Sequence, residues 1–137
     1  MALPEKIHVE IVTPERRVVA RDVDEIILPG SVGSFGVLPG HAPLFAHLAP
    51  GVAQIKGGGR DEVFAISGGF ADVGPEQVTV LAETCERAAE IDRERAQRKL
   101  DELQSKLKHE IPAADVEVVR LKLLKQLARL HATERAS

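Results

Sequence analysis

A β-rich domain, sandwich or barrel, followed by an antiparallel two-helix hairpin is the architecture predicted by the sequence. Punctuation changes abruptly along the 137 residues: all eleven glycines lie between Gly30 and Gly74, and seven of the eight prolines lie at or before Pro75. Gly and Pro mark turns, and their scarcity afterwards permits long helices. Apolar spacing changes at the same place, from alternation and short runs to the three-and-four stepping of a helix face. Charge changes with it: residues 1–84 carry 6 basic and 11 acidic side chains, residues 85–137 carry 12 and 10. A β-domain is therefore expected over residues 1–86 and a helical one over residues 87–137.

In the first domain Ile7, Val9 and Ile11 take every second position, which puts them on one face of a strand. Val18-Val19, Ile26-Ile27-Leu28 and the segments 51–55, 63–66 and 78–81 are further short aliphatic runs. Turn signals separate them at Thr13-Pro14, Pro29-Gly30, Pro39-Gly40, Pro50-Gly51, Gly57-Gly58-Gly59 and Gly74-Pro75. Short strands at this spacing predict a sandwich or barrel rather than alternating strand–helix units.

Past residue 85, Ala96, Leu100, Leu103 and Leu107 step by 4, 3 and 4 along one helical stripe. Asp92 is placed to cap its start, and the stretch from His109 to Pro112 breaks it. Val116, Val119, Leu123, Leu127 and Leu130 form a second stripe, stepping by 3, 4, 4 and 3, which Leu121 and Leu124 widen. The short break folds the two helices back as a hairpin. Two helices leave much of so wide a stripe bare, so the hairpin must dock on the β-domain, on itself in another chain, or on a partner.

The net charge of -3 argues against a surface built wholly for nucleic acid, and the lack of Trp and Tyr removes stacking platforms for single strands. No run of about 20 apolar residues is present, so any membrane association is expected to go through a partner. Residues 1–6 have neither a basic start nor an apolar stretch, and no secretory leader is expected. The single cysteine, Cys85, forms no internal disulfide and points to a reducing compartment. His8, His41, His47, His109 and His131 form no metal-ligand pattern, so no metal is expected. Adjacent carboxylates such as Asp24-Glu25, Asp61-Glu62 and Asp101-Glu102 point different ways and read as solvated surface, so no catalytic apparatus is expected either. The glycine-rich segment 30–41 lacks what a phosphate-cradling loop needs, a helix start behind it and a lysine; its glycines are read as turn formers.

Gly36-Val37-Leu38-Pro39-Gly40-His41-Ala42-Pro43-Leu44, followed by Leu48-Ala49-Pro50-Gly51, resembles a signature of the epsilon subunit of F-type ATP synthases. Ile66-Ser67-Gly68-Gly69-Phe70, Val78-Thr79-Val80-Leu81-Ala82-Glu83 and Ile91-Asp92-Arg93-Glu94-Arg95-Ala96 follow in that family's order, and the likeness covers essentially the whole chain. The resemblance implies a flattened sandwich of about ten strands before the two-helix domain. It implies a non-catalytic subunit of the central rotor stalk, peripheral at the cytoplasmic face of the bacterial plasma membrane. There the β-domain binds the gamma subunit and the membrane ring, coupling proton-driven rotation to ATP synthesis. The hairpin either folds down on the sandwich or extends along gamma among the alpha and beta catalytic subunits, where it impedes ATP hydrolysis. Ser34, His41, Ala42 and Pro43 are then candidate contacts to gamma or the ring. Arg120, Lys122 and Lys125 are candidates for acidic surface on the catalytic subunits.

No cofactor is required in this setting, but ATP is an expected regulatory ligand. Some bacterial members bind it through Ile or Leu, Asp, two variable residues, Arg and Ala, and Ile91, Asp92, Arg95 and Ala96 occupy those positions. Asp92 can accept from the adenine amino group, Ile91 and Ala96 can pack its ring, and Arg95 can meet phosphate. Arg129 stands where the second helix contributes a further arginine, whereas Glu102, seven beyond Arg95, replaces an arginine frequent in binding members. The competing account of the segment is a capped helix start with Arg95 paired to Glu90 or Glu94. A second functional class also stays open, a free nucleotide-sensing or scaffold protein whose hairpin binds another complex.

Overall fold

The structure, a computed structural model, describes residues 3–136. Ten strands come first: β1 (Ile7–Val12), β2 (Arg17–Val23), β3 (Glu25–Gly30), β4 (Gly33–Val37), β5 (Leu44–Leu48), β6 (Gly51–Lys56), β7 (Glu62–Ile66), β8 (Gly69–Val73), β9 (Gln77–Ala82) and β10 (Cys85–Arg87). A 3-10 turn (Ala88–Glu90) leads into helices α1 (Arg93–Lys108) and α2 (Ala113–Ala136). The strands hydrogen-bond in the order β10-β7-β6-β3-β5-β8-β9-β1-β2, with β4 on β3. Pairing is antiparallel except between β1 and β9. This is the expected sandwich-like barrel of short strands followed by a two-helix hairpin.

Alternation decides which side chains enter the core. Ile7, Val9 and Ile11 are fully buried while His8 and Glu10 face outward. Leu28, Leu48, Ile55, Phe64, Ile66, Val73 and Val80 meet them inside. Strands β6 and β7 behave differently, because helix α2 covers their outer face: Phe64 and Ile66 enter the barrel core, while Val63 and Ala65 pack beneath the helix. A strand covered on both sides reads as a continuous apolar run, and this is why residues 63–66 do not alternate.

Four strands exceed the aliphatic runs visible in the sequence. Strand β4 lies within the glycine-rich segment, joined to β3 by a two-residue turn at Ser31-Val32 with Gly33 at φ 135°. Strand β8 starts at Gly69, where a Cβ would lie 1.9 Å from the Leu81 carbonyl oxygen. Only glycine allows that approach.

The two ends of the hydrogen-bonding order, β2 and β10, are joined by side chains. Glu62 sits between Arg21 of β2, whose Nη2 donates to Oε1 at 3.0 Å, and Arg87 of β10, whose Nε donates to Oε2 at 3.0 Å. Arg87 also donates to the Val18 carbonyl oxygen of β2 at 2.9 Å and lies over the Phe64 ring. The Arg60 Nε lies 3.3 Å from the same carboxylate. Burial on its own raises the Glu62 carboxyl, but hydrogen bonds from Arg87 and Arg21 and the charges of Arg60 and Arg87 outweigh it, holding the group below its ordinary value.

Candidate functional site

The hairpin docks through alanines. Asp92 caps α1, its Oδ1 accepting from the Arg95 backbone N–H at 3.1 Å, as expected from sequence. The chain then breaks at residues 109–112 and α2 returns antiparallel, so that Arg93 reaches Thr133 and Glu134 near the far end. Between the helices, Ala96, Leu100 and Leu130 are buried with Leu123 and Leu127 against them. Against the barrel the contacts are Ala128 and Ala132 with Ala65, Ala88 and Ile91, flanked by Val52 and Val63. The hairpin therefore packs on the β-domain, through this small-residue face rather than through the leucine stripe.

Sequence reasoning missed this alanine surface. Ala128 and Ala132 are four apart and so share a helix face, but alanine contributes little to an apolar stripe and is as common on surfaces. The stripe itself is only partly used. Leu130 is buried and Leu123, Leu127 and Val119 are half-buried, whereas Val116, Leu121 and Leu124 remain exposed on the half of α2 that leaves the barrel.

The candidate nucleotide residues separate by environment. Ile91 belongs to the alanine cluster and Ala96 to the interhelical one, so both are buried in the folded hairpin. Asp92 is exposed but engaged as the cap. Arg95 is exposed, and among the described residues no hydrogen bond or ion pair reaches its guanidinium; the pairing to Glu90 or Glu94 is not formed. Arg129 is 14% exposed and turned to Glu86 of β10: Nη2 donates to Oε2 at 3.1 Å and Nε lies 3.0 Å from Oε1. Its Nη1 donates to Gln126 Oε1 at 3.1 Å. Ile91, Asp92, Arg95 and Ala96 are thus contiguous at the arm's root, while Arg129 is committed to an internal carboxylate.

Ser34 is exposed in β4 opposite Pro29, and His41 lies beyond the other end of that strand, so the length of β4 separates them. The His41 Nδ1 lies 2.6 Å from the Ala42 carbonyl oxygen, and Ala42 and Pro43 are exposed beside it. Arg120 and Lys122 are exposed on the outer half of α2, and Lys125 is half-buried near Gln126.

A second surface unmarked by sequence reasoning lies on the outer face of β5, β8 and β9. Phe45 is 68% exposed and stacks on Phe70 with ring centroids 5.6 Å apart, and His47 lies 5.1 Å from Phe70. Leu81, directly across from Phe70, is 54% exposed. Their outward parity, opposite to Leu48 and Val80, is the signal that finds them. Exposed Phe45, Phe70 and Leu81 together form a candidate interaction face.

Cys85 is buried, and that burial pushes its thiol up to about 12, so it stays protonated and inert. Among the described residues no group of three His, Cys, Asp or Glu is placed to hold a metal, and no helix is long and apolar enough to cross a membrane.

Residues 6–88 match the family described as ATP synthase, Delta/Epsilon chain, beta-sandwich domain. The ATP synthase epsilon chain of Chloroflexus aggregans is 42% identical over 128 residues, covering 93% of this chain and 92% of that one. The epsilon chain of Moorella thermoacetica is 41% identical over 127 residues, covering 92% and 95%. Among solved structures, a chain of the Euglena gracilis mitochondrial ATP synthase, in its OSCP/F1/c-ring assembly, superposes with a TM-score of 0.84 at 25% identity, over 99% of this chain and 84% of that one. A chain of the Tetrahymena thermophila mitochondrial ATP synthase central stalk and c-ring shares the fold, with a TM-score of 0.66 at 15% identity over 96% and 99%.

Proposed function

The chain belongs to the ATP synthase delta/epsilon-chain family, and from that membership we propose that it is a non-catalytic central-stalk subunit that couples rotation to ATP synthesis and brakes ATP hydrolysis. Residues 1–86 are the anchor to gamma and the membrane ring, and residues 87–137 are the regulatory arm. Attachment through the ring makes the protein peripheral at the cytoplasmic face of the bacterial plasma membrane.

One observation carries the arm: the division of its apolar residues. Leucines are placed between the two helices and alanines against the barrel. Each buried CH2 contributes about 0.8 kcal/mol, so a seam built on alanines holds the arm less strongly than the barrel holds itself. An arm of that kind leaves the barrel as a unit or as its two helices before the barrel itself is disturbed. Once free, the exposed Val116, Leu121 and Leu124 offer an apolar edge and Arg120, Lys122 and Lys125 a basic one, suited to acidic surface on the alpha and beta subunits. ATP is the regulatory ligand assigned to the arm's root. Arg95 is the motif residue available to phosphate, and ATP bound there stabilises the folded-down hairpin.

The aromatic face of β5, β8 and β9 is assigned to gamma, with Ser34, His41, Ala42 and Pro43 at the rims toward gamma and the ring. Substituting both Phe45→Asp and Phe70→Asp weakens binding to purified gamma at least about 100-fold, as expected for two aromatic anchors. The melting temperature changes little, because both rings lie outside the core. Unchanged affinity in a calorimetric titration against gamma removes this face as the anchor. A wild-type chain that ignores gamma and holds another complex supports the free sensor or scaffold instead.

A further inference from the structure

We propose that Glu86 and Arg129 form a latch that sets how often the arm leaves the β-domain; this rests on the assignment of residues 87–137 as a mobile arm. Strand β10 pairs with β7 so that Glu86 stands opposite Ala65 and Arg87 opposite Phe64. Opposite residues of an antiparallel pair share a face. Glu86 is therefore aimed at the surface where Ala128 and Ala132 sit, while Arg87 turns to Glu62 and the β2–β10 seam. Alternation along three residues gives one charge to the arm and the next to the barrel.

The alanine cluster offers little shape of its own to fix where along α2 the barrel is held. The charge pair supplies that register, because Arg129 meets both oxygens of Glu86 and is propped from behind by Gln126, itself only 6% exposed. With the Arg129 side chain 14% and the Glu86 side chain 31% exposed, the pair is withdrawn enough from water for its charges to count. Removing one partner leaves the other desolvated and unpaired, so the loss exceeds the net contribution of the pair. The Arg129 Nε lies 3.0 Å from Glu86 Oε1 without an aligned hydrogen bond, so Nη2 makes the directed bond of the pair.

Amide hydrogen exchange on the full-length chain reads the latch. Glu86→Gln raises exchange of α2 amides over residues 123–133 at least about tenfold, with the β1–β9 amides unchanged. Arg129→Gln does the same, and the exchanged pair Glu86→Arg with Arg129→Glu recovers most of the protection. If Glu86→Gln leaves α2 unchanged while Ala132→Asp frees it, the latch is overturned and the arm survives. If neither substitution changes α2, the docked arm is not in exchange with an open state and the regulatory assignment itself falls.

Discussion

Ala132→Asp frees the hairpin while leaving the β-domain folded. Ala132 has no exposed surface and packs with Ala65, Ala88, Ile91 and Ala128. A carboxylate there has no cation facing it within that cluster, and an unpaired buried charge costs several kcal/mol before it escapes to water. Escape is available, because the cluster joins two units and undocking alone restores hydration. The penalty therefore falls on docking and not on the barrel, whose core of Ile7, Val9, Phe64 and Val80 lies on the other face of the sheet. A cost of about 3 kcal/mol multiplies the open population more than 100-fold. Exchange protection over α2 (Ala113–Ala136) should vanish, with helicity by circular dichroism reduced and the barrel's melting transition within a few degrees of wild type. Retained protection over α2 would mean that the alanine cluster is not what holds the arm.

Glu62→Ala acts on the other unit. The carboxylate is 13% exposed and is shared by Arg21 and Arg87, which join β2 to β7 and β10. Without it these two guanidiniums face each other across the seam with no counter-charge, a loss of about 2–4 kcal/mol once partial hydration of Arg87 and Arg60 is allowed for. Denaturant unfolding measures it, and an unchanged midpoint would show that the seam is held by backbone contacts alone. The pH dependence has a definite sign. Because the folded carboxyl titrates below its ordinary value of 4.5, its contribution is complete above that value and is lost as pH falls through the lower, folded one. Glu62→Gln should remove that part of the acid-induced loss of stability, so that wild type and variant converge at low pH.

The order of strands before helices and the helix stripes were legible because period and punctuation are local. Ile7, Val9 and Ile11 alternate, Ala96, Leu100 and Leu103 recur at helical steps, and Asp92 announces a cap. What was not legible depends on pairing at a distance. Segment 63–66 is apolar on both faces only because α2 lies over it, and nothing near residue 65 names Ala128 as its neighbour. Strand β10 has three residues, too few for a period, and its pairing with β7 decides that Glu86 meets Arg129 while Arg87 meets Glu62. Arg129 was visible as a basic residue on the second helix, but its commitment to an internal carboxylate follows from tertiary packing. The outward Phe45 and Phe70 had a local signal in their parity, obscured by the glycines and prolines around β5 and β8. Family resemblance supplied the strand count that aliphatic runs alone left at six.

The brake is the central claim, and hydrolysis by the assembled synthase tests it most directly. ATP turnover is compared between complexes carrying the full chain and complexes carrying a chain that ends at residue 87, with equal amounts of gamma-bound subunit verified in both. The arm predicts several-fold faster hydrolysis when residues 88–137 are absent, with assembly and proton-driven synthesis retained. Equal hydrolysis rates in the two complexes would contradict it, leaving the hairpin a fixed structural part and the β-domain alone with a role in coupling.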